Sequence, residues 1–195
     1  LGDVYKRQVV KLSNGTYMPL DPTWVPFCRE LWSSAEQQQN YLPGVPEGSD
    51  LCITPVSSPE NHYVRIKADN RLEADGTLRG TFTLTAEGQS DSNIRRIFTT
   101  GFQSEWKSTM ERQLLTISPK ARLLSVDYGK NPKDYQAAPI KITFRYEIPD
   151  YALKGEGEMF FRPMVMNNLY NQVRSYLRID TEMKERKYGF KDACS

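Results

Sequence analysis

The stretch Leu78–Ala86, LRGTFTLTA, constrains the fold most tightly. Leu78, Gly80, Phe82, Leu84 and Ala86 share one parity, while Arg79, Thr81, Thr83 and Thr85 share the other. A period of two sends these sets to opposite faces of a pleated strand, so the stretch predicts a half-buried antiparallel strand. Asp75-Gly76, a turn dipeptide, stands just before it. Tyr63–Ala68, prolonged through Arg71–Glu73, alternates on the other side, which predicts a long hairpin. Pro139–Ile148 repeats the alternation with Ile140, Ile142, Phe144, Tyr146 and Ile148. Arg122–Tyr128 predicts a further strand, and Gly155–Phe161 reads as the returning partner of 139–148, closing at Arg162-Pro163.

Between these strands the period changes. Ile94, Ile97, Phe98, Phe102, Trp106, Met110 and Leu114 recur at helical spacing. Ser90-Asp91-Ser92-Asn93 offers capping side chains before the run. Gly101 divides it into two predicted helices, Ser104 is a candidate cap for the second, and Ser118-Pro119 ends it. In Asn167–Arg186, Leu169, Val173, Tyr176 and Leu177 fit a helix, but the charge of the following residues fits a polar loop equally well.

The amino-terminal part is a smaller hairpin. Lys11–Pro26 reads as a strand, a turn at Asn14-Gly15, a second strand, and a stop at Asp21-Pro22. Pro22 has no N–H for a ladder and biases Asp21 toward extended backbone, so the Asp21 carboxylate is expected at a strand end. Val25–Trp32 is expected to pack back on the sheet as a short irregular or helical piece. Ser33–Gly48 reads as a surface connection and Leu51–Thr54 as a brief strand, with a domain boundary between Gly48 and Glu60. Residues 1–8, LGDVYKRQ, resemble translated sequencing-adapter read-through and are read as a non-native leader. Lys187–Lys191 has the composition of a strand start, so the chain is expected to be a piece cut at both ends.

Residue types alone give little chemistry. The 195 residues carry a formal charge of only +2, which does not point to nucleic acid. No apolar run is long enough to cross a bilayer, and no signal-peptide pattern opens the sequence. Cys28, Cys52 and Cys194 have no metal-ligand spacing, and no metal or cofactor is expected; buried thiols are the simplest reading. His62, the one histidine, is expected in an exposed boundary loop. Gly155-x-Gly157 reads as hairpin glycine, and Arg95-Arg96 and Lys184–Lys187 as solvated faces. Trp24, Trp32 and Trp106 are expected in the core.

Asp21 has the strongest claim to a function. The segment Gly15-Thr16-Tyr17-Met18-Pro19-Leu20-Asp21-Pro22-Thr23 resembles the strand-ending segment of transglutaminase-like thiol enzymes. In that family a Cys, a His and an Asp form a papain-type triad, with the Asp at a Leu-Asp-Pro-Thr step. Ala35–Gly48, followed by Pro59-Glu60-Asn61, resembles the segment that leaves this core in bacterial multidomain members. The hairpins and helical insert of 60–195 resemble their carboxyl-terminal β-rich domain of unknown function. The resemblance implies an α+β, mainly β chain. Residues 9–54 would be the terminal piece of a papain-like core, and 60–195 an antiparallel β-sandwich-like accessory domain with a helical insertion. It further implies a catalytic role for Asp21, an upstream core as partner, a peptide or protein substrate, and a periplasmic or secreted location. The family's His lies upstream of Val9 and its Cys further upstream, so neither role passes to His62 or Cys28. A noncatalytic β-rich binding or scaffolding module is the alternative.

Overall fold

The computed structural model describes residues 8–21, 30, 32, 36–134 and 139–162. The expectations for Pro22, Trp24, Cys28, Asn167–Arg186, Lys187–Lys191 and Cys194 lie outside the described residues. Among the described residues the chain is α+β and mainly β, and every strand pair is antiparallel. No helix among them is long and apolar enough to cross a membrane.

The chain opens on β1 (Gln8–Lys11) and β2 (Tyr17–Leu20), paired from Gln8 with Leu20 to Lys11 with Tyr17. Gln8, set aside with the leader, is thus part of this ladder. The turn is built by Asn14, whose Oδ1 accepts hydrogen bonds from the Thr16 N–H at 3.0 Å and the Thr16 hydroxyl at 2.6 Å. Gly15 takes the left-handed φ of +84° that a side chain would disfavour. Two short strands follow, β3 (Asn40–Tyr41) and β4 (Cys52–Ile53), which pair with each other. The first of them lies inside the segment expected to be a plain surface connection.

The main sheet begins with β5 (Val64–Leu72) and β6 (Leu78–Ala86), nine residues each and in register throughout. Their turn repeats the chemistry of the first hairpin. Asp75 Oδ1 accepts the Thr77 N–H at 2.9 Å, and Gly76 has a φ of +86°. An Asn or Asp, then Gly, then Thr therefore closes both hairpins. Next come α1 (Gly88–Thr100) and α2 (Trp106–Leu115), separated at Gly101 as the glycine predicts. Ser90-Asp91-Ser92-Asn93 lies inside α1 rather than capping it, because the helix starts at Gly88 with Glu87 as its cap position. Phe102, predicted on the buried stripe, sits between the helices and is 77% exposed.

The sheet is completed by β7 (Arg122–Asp127) and β8 (Ile140–Ile148), giving the order β5-β6-β8-β7. The predicted inward residues of β6 and β8 alternate as expected. Phe82, Leu84, Ile142, Phe144 and Tyr146 are fully buried, with Ile94, Phe98, Met110 and Leu114 of the helices packed on them. Phe82 stacks on Phe144 with ring centroids 4.3 Å apart. Trp106 meets Phe98 edge to face at 5.1 Å and belongs to the same core. The layer covering the sheet is helical among the described residues, where a second sheet of a sandwich was expected. The chain then forms β9 (Leu153–Lys154) and β10 (Met159–Phe160), which pair only with each other. The 155–161 segment is not the partner of β8, whose two edges are already taken by β6 and β7.

Two close approaches set the sheet and its helices. Gly80 lies between Asn70 and Tyr146 in the ladder. A Cβ on Gly80 would stand 2.0 Å from Asn70 Oδ1, so its absence lets Asn70 reach across β6 and accept the Tyr146 hydroxyl hydrogen at 2.5 Å. Burial pushes the ionisation of that hydroxyl well above the ordinary phenol range. The second approach is a buried ion pair in α1. Asp91 Oδ2 accepts from Arg95 Nε at 2.7 Å, and Asp91 Oδ1 accepts the Ile140 N–H at 2.8 Å. Arg95 also donates to the carbonyls of Pro132 and Asp134, so it is a buried tie and not a solvated face.

Asp91→Ala leaves the Arg95 guanidinium buried without this carboxylate and strips the first ladder residue of β8 of its acceptor. Urea unfolding followed by tryptophan fluorescence is expected to show a loss of about 3–5 kcal/mol. A midpoint equal to that of the parent protein contradicts the role given to this pair.

Candidate functional site

Asp21 follows directly on Leu20, the last residue of β2, and is only 7% exposed. The hairpin explains this position from local sequence. Asn14 and Gly15 fix the register, the register carries the chain to Leu20, and the carboxylate follows where the ladder stops. β2 holds Pro19 opposite Val9, which suits a two-stranded ribbon with open outer edges.

The only histidine is not where the sequence placed it. His62 is 0% exposed and sits in a polar cluster drawn from three segments. Its Nε2 lies 2.6 Å from Ser57 Oγ and 3.1 Å from Glu30 Oε2. Its Nδ1 accepts the Gln89 N–H of α1 at 3.0 Å. Glu30 also accepts from Ser57 Oγ at 2.5 Å, from the Ser58 N–H at 3.2 Å, and from Asn61 Nδ2 at 3.0 Å. The short 3-10 turn Pro59–Asn61 places Asn61 and His62, and the His62 N–H closes it onto the Pro59 carbonyl.

Ser57, His62 and Glu30 are the residue types of a nucleophilic triad, but the wiring excludes that chemistry. In a working triad the acid holds Nδ1–H, and Nε2 is the bare nitrogen that takes the serine proton. Here Nδ1 is the acceptor of a backbone N–H, so the proton resides on Nε2. The serine and the acid both face that protonated nitrogen, and Ser57 is 1% exposed, out of reach of a substrate. The cluster is a clamp that joins residue 30, the 57–62 segment and the start of α1.

Gly88 makes the clamp possible. It has a φ of +60°, and a Cβ there would lie 2.3 Å from the Asn61 carbonyl oxygen and 2.4 Å from His62 Nδ1. The sequence carries a faint signal of this: a glycine, the poorest helix former after proline, stands at the first helical position.

The electrostatics of Glu30 follow from its donors. Burial works against its charged form, but the hydrogen bonds from Ser57, Asn61 and His62 outweigh burial and hold the carboxyl below its ordinary value. Cys52 is free and half-buried, with its Sγ 3.6 Å from the Asp50 carbonyl oxygen. No group of three or more His, Cys, Asp or Glu among the described residues has a metal-binding arrangement.

A cavity of about 480 Å³ lies at the end of the main sheet against Tyr63, Thr85, Arg95, Lys130 and Lys141. Neither Asp21 nor His62 lines it, and the guanidinium of Arg95 is already engaged by Asp91 and two carbonyls. It offers positive charge from Lys130 and Lys141 and no carboxylate among the described residues of its lining. No family model, curated protein or solved structure matches this chain.

Two predictions test the clamp. Glu30 has a lowered folded pKa, so its stabilisation is complete above the ordinary carboxylate range near 4.5 and is lost as pH falls through the lower folded value. Urea midpoints measured from pH 7 down to pH 3 are therefore expected to fall less steeply below about pH 4.5 in Glu30→Gln than in the parent. Parallel curves contradict the assignment. Gly88→Ala combines overpacking with an unfavourable φ and is expected to cost about 1–3 kcal/mol in the same assay at pH 7. A neutral effect means that the close approach of His62 to α1 is not a constraint.

Proposed function

We propose that this chain carries the carboxyl-terminal end of a transglutaminase-like thiol enzyme core, followed by a noncatalytic β-rich domain. Asp21 is the acid of a Cys-His-Asp triad. The observation that carries this reading is the position of Asp21: a carboxylate withdrawn from water, one residue past the end of a hairpin strand, at the Leu20-Asp21-Pro22-Thr23 step. A carboxylate so placed accepts an imidazole N–H, fixes the tautomer, and stabilises the imidazolium that keeps a neighbouring thiol ionised.

In this reading the Cys and His come from residues upstream of Val9 in the full-length protein. The thiolate attacks a peptide or glutaminyl carbonyl, the amine or ammonia departs with a proton from the histidine, and a thioester remains. Water or an acceptor amine then releases the acyl group. Residues 9–54 belong to the papain-like core, 60–195 to the accessory domain, and the setting is bacterial and periplasmic or secreted. His62 is not the triad histidine, because both of its ring nitrogens are engaged in the clamp.

A second reading, a β-rich binding or scaffolding module, is favoured for the main sheet by one observation. The face turned away from the helices is exposed and carries more cations than carboxylates. The two readings are compatible in one polypeptide.

The catalytic reading is tested in the full-length protein with Asp21→Ala. Turnover of a glutaminyl peptide is expected to drop by about 10²- to 10⁴-fold with the melting temperature nearly unchanged. The rate of thiol alkylation at neutral pH is expected to drop with it, since the imidazolium–thiolate pair is weakened. Unchanged turnover overturns the assignment of Asp21.

A further inference from the structure

The open face of the main sheet has a regular charge pattern. Outward positions of β5 are Arg65, Lys67, Asp69 and Arg71, all exposed. In register beside them stand Thr85, Thr83, Thr81 and Arg79 of β6. Beyond these lie Lys141, Thr143, Arg145 and Glu147 of β8. Glu147 is occupied by Arg79 at 3.2 Å and Arg122 at 3.5 Å. Arg65 lies over the Tyr63 ring at 4.0 Å, and Arg71 pairs with the side chain of Glu73 at 3.5 Å. Among the described residues no carboxylate stands within ion-pair distance of Lys67, Lys141 or Arg145.

β5 is also an edge. It pairs with β6 on one side, and no described strand pairs with the other. Every second residue of an edge strand directs its N–H and C=O outward. On the helix side of β5, Val64, Ile66 and Leu72 are half-buried against the core, and Ala68 is exposed. The edge thus combines backbone groups, a cationic outer row and an apolar inner row. Charges on an edge keep neutral or basic strands away, and the same charges admit an acidic one. Among the described residues the face has no stacked aromatic platform, which disfavours a single-stranded nucleic acid or a sugar chain.

We propose that the outer edge of β5 takes an extended acidic peptide segment of a partner protein as a fifth, antiparallel strand. Residues facing each other across a ladder share a face, so the register dictates the ligand. Opposite Arg71, Asp69, Lys67 and Arg65, in that order, the peptide carries Glu, Lys, Glu and Glu at alternate positions. Apolar residues lie between them and cover Ile66 and its neighbours. The main-chain bonds supply the docking and the alternate side chains the selectivity. This inference rests on the binding-module reading and is independent of Asp21.

The test uses the complete 195-residue chain and a fluorescein-labelled peptide, Val-Glu-Val-Lys-Val-Glu-Val-Glu-Val, followed by anisotropy. Binding is expected to weaken between about 50 and about 200 mM salt. The exposed substitution Lys67→Glu is expected to weaken it about tenfold, and a peptide with Lys in place of the facing Glu to restore it. N-methylation of alternate peptide nitrogens on the docking side is expected to abolish binding. Equal binding of the methylated peptide, or no rescue by the charge-exchanged one, overturns strand addition. If the peptide fails while polyglucuronate or an oligonucleotide binds, the peptide assignment falls and the module reading stands. If none of the three binds, both fall.

Discussion

The architecture depends on one buried carboxylate. Asp91 is fully buried in the first turn of α1, where the helix dipole favours negative charge. One of its oxygens holds Arg95 four residues on, and the other holds the backbone that starts β8. Through Arg95 the same group reaches the 132–134 turn. A hydrophobic stripe lets a helix slide along a sheet at little cost, since burial has no direction. A carboxylate with two committed oxygens does not, because each bond has a required length and angle. The ion pair therefore sets where α1 lies over β6 and β8, and the apolar contacts fill in around it.

Two missing side chains then let separate parts of the backbone meet. At Gly80 the missing Cβ allows Asn70 to satisfy the buried Tyr146 hydroxyl. At Gly88 it allows the first turn of α1 to approach the imidazole of His62. In both places a buried polar group obtains its partner only because a neighbour has no side chain. This linkage is stricter than hydrophobic packing, since an unsatisfied buried donor costs on the order of 1–3 kcal/mol.

How much of this could be read from the sequence divides along physical lines. The alternation of 78–86 and 140–148, the hairpin dipeptides and the helix break at Gly101 are local signals, and each stands in the structure where the residues put it. Asp21 falls at its strand end for the same reason. Two local readings fail, the cap at Ser90–Asn93 and the buried Phe102, and the other errors concern side-chain and strand partners that the pattern does not announce. His62 read as exposed because its neighbours are polar, yet those neighbours are its ligands: Ser57 lies five residues away, and Glu30 thirty-two. Arg95 read as solvated because nothing nearby in sequence announces the carbonyls of residues 132 and 134. The 155–161 segment follows β8 in sequence and reads as its partner, but sheet order depends on which edges are vacant, and β8 has none.

The same distinction bears on chemistry. Serine, histidine and glutamate within hydrogen-bonding distance invite a catalytic reading, and the direction of one proton decides against it. The Gln89 N–H consumes Nδ1, so the imidazole meets Ser57 with a donor where a base needs a lone pair. Residue type and proximity are thus insufficient; tautomer and access decide. By that standard Asp21 is a better candidate than the triad look-alike, although it is a single residue. An orienting carboxylate needs shelter from water, and Asp21 has it just past the hairpin strand. His62, with both ring nitrogens engaged in the clamp, is not available to Asp21. The clamp ties residue 30, nine positions beyond Asp21, to the first turn of α1.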